Sequence, residues 1–249
     1  MAETLKGRIS SFQTLGTLDG PGVRFVAFLQ GCPLRCVCCH NPETWNCEGG
    51  EEWSPETDGG KEYTAREIAE TALKYKDYFG KNGGITLSGG EPLQQAEFAE
   101  EIFRLCKENG IHTCLDTSGC IIDGSVLKLL KVTDYCLLDL KYQYDRQYRE
   151  YVGCSIEKPL EFLKLLNEHG IPTRLRRVII KGLNDDAEST LRLYETAKKY
   201  PCVKETELLP FRKLCRDKYK ELNIPFRLDD TPETAESEIE ELKKLSCGI

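Results

Sequence analysis

The sequence predicts an α/β fold built on parallel strands, and two observations carry that expectation. From residue 64 onward, short β-prone runs alternate with stretches whose apolar residues recur at helical spacing, with no internal repeat or low-complexity segment between them. The second observation is length. A chain of 249 residues holds about six such units, fewer than the eight of a closed (β/α) barrel. Strands joined by helices of this size pair in parallel through right-handed crossovers.

Taken in order, residues 7–15 read as a short strand, and Thr17-Leu18-Asp19-Gly20-Pro21-Gly22 as a turn rich in Gly and Pro. Residues 23–30 form a strand-like run, and the polar residues 48–62, with two Gly-Gly pairs, read as a surface loop. Thr64 with Glu67 has the spacing of a capped helix start, continuing to about residue 79. Strands are then expected at 85–87, 112–116, 135–141, 173–180 and 203–209. Helices are expected at 96–109, 126–131, 160–169, 187–200 and 233–245, two of them stopped by Gly110 and Gly170.

Hydrophobic residues make up 40% of the chain and charged residues 30%, the balance of a globular domain. A net charge of −7 argues against a nucleic-acid-binding surface. The first residues lack the apolar core of a signal peptide and no run is long enough to span a bilayer, so the expected compartment is the cytoplasm, with no membrane partner. Thirteen cysteines are an odd count in a chain too long for a small secreted scaffold, which fits reduced thiols. Most of them suit the role of small buried apolar side chains.

The cysteines concentrate in Cys32-Pro33-Leu34-Arg35-Cys36-Val37-Cys38-Cys39, followed by His40 and Asn41. With Cys38 set aside, Cys32, Cys36 and Cys39 are separated by three and two residues, so one short loop can aim three thiols at a common centre. Thiolates suit iron–sulfur clusters and zinc. A zinc reading would use Cys36, Cys39, Cys47 and His40 and would make the chain an interaction protein without catalysis. Structural zinc sites usually pair two separated ligand couples, and no second couple exists here. Three thiolates on a four-iron cluster instead leave one iron open, as a site that binds substrate requires.

The C-x3-C-x2-C loop behind a strand resembles that of the radical S-adenosylmethionine enzymes. Asp19-Gly20-Pro21-Gly22-Val23-Arg24 resembles the D-G-P-G-[IV]-R signature of their glycyl-radical-enzyme activases. Many such activases carry a ferredoxin-like insert with further cysteine quartets. This chain has none and resembles the pyruvate formate-lyase type. The resemblance implies an open (β/α)6 partial TIM barrel, a single domain over residues 1–249, one 4Fe-4S cluster and S-adenosyl-L-methionine. It also implies the activity: reductive cleavage of S-adenosylmethionine to a 5′-deoxyadenosyl radical, which takes a hydrogen atom from a glycine of the partner. That partner would be a glycyl radical enzyme, pyruvate formate-lyase in this branch, with a flavodoxin or ferredoxin-type reductant. Activation of a different glycyl radical enzyme, or radical chemistry on a small molecule, stays open.

In parallel barrels the ligand lies at the C-terminal ends of the strands. The resemblance makes Cys32, Cys36 and Cys39 the cluster ligands and gives Cys38 a backbone contact to the adenine, where relatives have an aromatic residue. Ser88-Gly89-Gly90-Glu91-Pro92 has paired glycines that permit close backbone approach and an acid that can accept from an ammonium group. It resembles the family's GGE motif at the methionyl amino group. Asp116 and Thr117 read as a helix cap, or by resemblance as part of a monovalent cation site. Period-two geometry puts Asp139 and Lys141 on one strand face, and Arg174 and Arg176 on another. The match to L-D-L-K implies Asp139 near the ribose or cation and Lys141 near the methionyl carboxylate. Arg176 aligns with an arginine near the cosubstrate. Arg212 stands where related activases have a histidine near the adenosine, and Asp19, Gly20 and Arg24 are expected to meet the partner.

Overall fold

In a computed structural model, residues 5–45 and 60–245 are described. They form one eight-stranded sheet in the order β3-β1-β2-β4-β5-β6-β7-β8. Six strands run parallel: β2 (Arg24–Leu29), β4 (Gly84–Gly89), β5 (His112–Thr117), β6 (Tyr135–Asp139), β7 (Thr173–Ile179) and β8 (Val203–Pro210). The sheet is not closed, because β8 pairs only with β7 and the opposite edge is an antiparallel pair, β1 (Lys6–Gly16) and β3 (Lys61–Thr64).

The helices α1 (Ala65–Leu73), α2 (Ala96–Glu108), α3 (Gly124–Leu130), α4 (Asp145–Tyr151), α5 (Glu157–Glu168) and α6 (Ala187–Lys199) lie between these strands in the chain, and α7 (Arg216–Glu221) and α8 (Glu236–Lys244) follow β8. Each larger helix buries an apolar stripe against the sheet, for example Phe98, Ile102 and Phe103 of α2 and Phe162, Leu163 and Leu166 of α5. The starts are capped as the side chains dictate. Thr64 and Glu67 form a capping box, and Asp123 and Asp186 accept the first amides of α3 and α6.

β4, β5 and β6 are buried nearly end to end, as parallel strands covered on both faces must be. β7 alternates: Leu175, Arg177 and Ile179 are buried on one face, while Arg174 and Arg176 share the other. Arg177 is buried because its guanidinium donates to the Leu140 and Ser189 carbonyls, both at 2.8 Å. Every cysteine among the described residues is unbridged, and Cys106, Cys114, Cys136, Cys202 and Cys215 are buried as apolar filling. No described helix is long and apolar enough to cross a membrane.

Four local expectations are corrected. The first helix ends at Leu73, and Lys76–Tyr78 is a separate 3-10 turn. The end of the expected polar loop, Lys61 and Glu62, belongs to β3, which pairs Lys61 with Ile9 and Thr64 with Lys6; residues 48–59 of that loop, and Cys47 before it, lie outside the described residues. The charged helices α4 and α7 each bury one tyrosine, Tyr148 and Tyr219, and so give no apolar periodicity to read.

The fourth concerns the D-G-P-G-V-R turn. Arg24 is fully buried and Gly20 is buried, so neither side can offer itself to a partner. Arg24 instead ties the turn to the sheet: Nε donates to Thr86 Oγ1 at 2.9 Å, and its other nitrogens reach the carbonyls of Pro21, Asn82, Ile85 and His112. Of the three expected partner contacts, Asp19 alone stays half-exposed, with Arg176 and Arg24 within electrostatic reach of its carboxyl. Arg24→Met would leave several buried carbonyls without donors. The expected loss of folding stability is about 2 to 3 kcal/mol, read from the denaturation midpoint.

Candidate active site

The site begins where the chain leaves β2. Gly31 N–H donates to the Thr44 carbonyl at 2.8 Å, and the next strand end is stitched to the same place: Gly90 N–H to Leu29 O and Glu91 N–H to Gly31 O, both 2.8 Å. This contact demands glycine. Gly89 has φ +105° and a Cβ there would lie 2.4 Å from the Leu29 nitrogen; at Gly90 it would lie 2.2 Å from the Gly31 oxygen. The glycines thus bring Glu91 beside the start of the cysteine loop.

Glu91 is 1% exposed. Its carboxylate accepts from Ser118 N–H at 3.0 Å, from Leu93 N–H at 3.2 Å and from the hydroxyls of Thr117 and Ser118, so it is satisfied wholly by neutral donors. Thr117 is therefore drawn to Glu91, while its neighbour Asp116 points to the other side of β5. The Asp-Thr pair does not act as one unit.

Asp116 opens a row of contacts across the lumen. Ser88 Oγ donates to it at 2.9 Å, and Arg176 meets its other oxygen. Arg176 Nε reaches Asp139 Oδ1 at 2.9 Å, and Lys141 Nζ reaches Asp139 Oδ2 at 2.9 Å. Strand register explains the centre of the row, because Asp139 of β6 stands directly opposite Arg176 of β7. Two carboxylates face two cations. Burial raises Asp116 to about 6 against the pull of Arg176. Burial would raise Asp139 too, but Arg176 and Lys141 outweigh it and hold it at about 2.

The row ends at the thiols. Lys141 lies within electrostatic reach of Cys36 and Cys38, and the loop that carries them is fixed from α4: Arg35 N–H donates to Val152 O and Val37 N–H to Tyr151 O, both at 3.0 Å. Burial pushes Cys32 up to about 12 and Cys38 up to about 11, and it also raises Cys36 and Cys39. At Cys39, Trp45 Nε1–H donates to Sγ at 3.3 Å. No three His, Cys, Asp or Glu side chains among the described residues are grouped as a single-ion site. The donor set nonetheless fits an iron–sulfur centre. It offers unbridged soft ligands on one loop, a cation beside them, an N–H already aimed at one sulfur, and buried Tyr142 and Tyr219 hydroxyls that have no partner among the described residues.

One expected contact is placed differently. The Arg212 guanidinium is committed to the Thr234 carbonyl and to Glu236 at the start of α8, so its charge serves the closing helix. Its backbone carbonyl meets His40 Nε2 at 3.1 Å. Trp45, Tyr142, Tyr219 and Lys218 were not foreseen. Lys218 fastens α7 to the cysteine loop, reaching His40 O at 3.2 Å, Asn41 Oδ1 at 3.0 Å and Glu43. The usable signal was a tryptophan six residues after Cys39 in a segment otherwise polar.

Comparison with known proteins identifies the family. The Radical SAM superfamily matches residues 26–194, more than half of the chain. The pyruvate formate-lyase 1-activating enzyme of Escherichia coli (strain K12) is 39% identical over 240 residues, covering 95% of this chain and 94% of that protein. The pyruvate formate-lyase-activating enzyme of Clostridium pasteurianum is 42% identical over 225 residues, covering 90% of each. Among solved structures, a domain of a pyruvate-formate lyase-activating enzyme from Bacteroides vulgatus superposes with a TM-score of 0.54 at 23% identity, over 67% of this chain and 94% of that one, a likeness of fold. Fold, cysteine loop and sequence identity over nearly the whole length together establish that the chain belongs to the radical SAM superfamily and, within it, to the family of the pyruvate formate-lyase-activating enzymes.

Proposed function

We propose that this chain activates pyruvate formate-lyase by generating a glycyl radical on it. Cys32, Cys36 and Cys39 would hold the 4Fe-4S cluster, and the Cys38 backbone would meet the adenine. When bound, the cluster and S-adenosylmethionine supply reductive cleavage to methionine and a 5′-deoxyadenosyl radical, the species that takes hydrogen from a backbone glycine. The chain's residues bind and orient. Gly89, Gly90 and Glu91 receive the methionyl amino group, Lys141 and Arg176 its carboxylate, and Asp116 and Asp139 the hydroxyls or a monovalent cation, with Thr117 holding Glu91 in place. The largely buried strands β4, β5 and β6 limit water around them.

The observation that supports this most is the unbroken polar row from Ser88 to Lys141 that ends at the cysteine loop. It sets acceptors for an ammonium and donors for a carboxylate beside soft metal ligands. A flavodoxin or ferredoxin-type protein is the proposed electron donor, and the cytoplasm the proposed compartment.

The test uses anaerobically reconstituted chain with reduced flavodoxin, S-adenosylmethionine and pyruvate formate-lyase, frozen for electron paramagnetic resonance. A glycyl radical signal on pyruvate formate-lyase is the expected result. Release of 5′-deoxyadenosine without that signal would assign the partner to another glycyl radical enzyme or a small molecule, and absence of both would overturn the reading.

A further inference from the structure

Two buried phenols close on the cysteine loop with nothing to bond. Tyr142 is 1% exposed and Tyr219 is 3% exposed, and neither hydroxyl has a hydrogen-bond partner among the described residues. Such groups are rare in native proteins and call for a physical reason. Both sit where the loop is fastened. Tyr142 directly follows Lys141, and its ring lies 5.4 Å from that of Tyr151, whose carbonyl holds Val37 N–H. Tyr219 lies on α7 beside Lys218, which grips His40 and Asn41. Its ring meets Trp45 edge-on at 5.9 Å, and Trp45 already donates to Cys39 Sγ. The Cys36 and Cys38 thiols lie within electrostatic reach of both hydroxyls, and Cys39 of Tyr219.

A neutral thiol accepts hydrogen bonds weakly, whereas the thiolates and sulfides of an iron–sulfur centre accept them well. We propose that Tyr142 and Tyr219 donate O–H hydrogen bonds to sulfurs of the cluster and, with Trp45, raise its reduction potential; this rests on the cluster assignment above. Reduction adds negative charge that spreads over the sulfurs, so donors aimed at them stabilise the reduced form more than the oxidised one. Lys141 acts in the same direction. The tyrosines leave ligation of the centre and the cosubstrate groups to other residues.

The experiment is a redox titration of reconstituted wild type, Tyr142→Phe, Tyr219→Phe and the double variant, with iron and acid-labile sulfide counted in each. At a fixed poise, each lost hydroxyl is expected to lower the ratio of reduced to oxidised cluster about threefold, equivalent to about 28 mV from 59 mV per tenfold for one electron. The double variant should show both losses. Unchanged potentials at full iron and sulfide would overturn the inference and leave the cluster assignment standing. Wild type without iron and sulfide would instead sink the cluster assignment. Should the Phe variants fail to load, ring-fluorinated tyrosine placed at 142 or 219, a stronger donor of nearly the same shape, is expected to raise the potential, and no change there would equally overturn the inference.

Discussion

A Cys36→Ala chain is expected to fold as the native one does, to retain little iron and acid-labile sulfide, and to cleave S-adenosylmethionine at background rate. The fold should survive because the loop is not held by metal alone. Arg35 and Val37 bond to the Val152 and Tyr151 carbonyls, and Lys218 clamps the residues that follow. Cys36 is only half-buried and its loss leaves a small void at the edge of the core. The centre should not survive, since Cys36 supplies one of only three protein thiolates that the cluster assignment gives it, and the binding free energy depends on every ligand that contributes. Cys38→Ala is the control. It removes an adjacent thiol of similar burial and is expected to keep both iron and cleavage, because C-x3-C-x2-C is complete without it. Full cluster content in Cys36→Ala, or its loss in Cys38→Ala, would reassign the ligands.

The parallel sheet was legible from β4 to β8 because β4 and β6 are short apolar-rich runs, β7 alternates apolar residues with arginines, and most of the strands are separated by helices of clear period. β3 was not legible. Its Lys61-Glu62-Tyr63-Thr64 has no apolar face, and it becomes a strand only through pairing with β1, more than fifty residues earlier. Within the site, strand alternation alone placed Asp139 with Lys141 and Arg174 with Arg176. What alternation cannot supply is register between strands, and register is what sets Asp139 against Arg176. Arg24 shows the opposite limit. An arginine in a polar turn reads as a surface group, yet five backbone and side-chain acceptors from three segments make burial cheaper for it than exposure of those acceptors would be. Tyr142 and Tyr219 carry no sequence signal beyond proximity to other residues of interest. Their meaning appears only when the fold shows hydroxyls with no partner.

Arg176→Met is expected to destabilise the fold by about 3 to 5 kcal/mol, the range for removing one partner of a buried ion pair, and to abolish cosubstrate cleavage. Arg176 is the centre of the lumen row, bonded to Asp116 and Asp139 at once, and methionine of similar length leaves both carboxylates facing each other with Lys141 alone. The loss should depend on pH with a definite sign. Burial already holds Asp116 at about 6, and without Arg176 nothing of that strength pulls it down; Asp139, held at about 2, loses one of the two cations that outweigh its burial. Both folded-state values therefore rise, Asp116 further above that of the unfolded chain and Asp139 up from about 2. A carboxyl held above its unfolded value binds more protons in the folded state, so stability falls as pH rises from the unfolded value through the folded one. Thermal unfolding of the variant should accordingly show the smaller deficit against wild type near about pH 5 and the larger one near about pH 8. Arg176→Lys keeps the charge but cannot span two carboxylates with a planar fork, and it should fall between the two chains in stability while its pH dependence stays near that of wild type. A deficit in Arg176→Met that is the same at both pH values would mean that the two carboxyls are not charged partners of Arg176, and the lumen row would then be held by shape and not by charge.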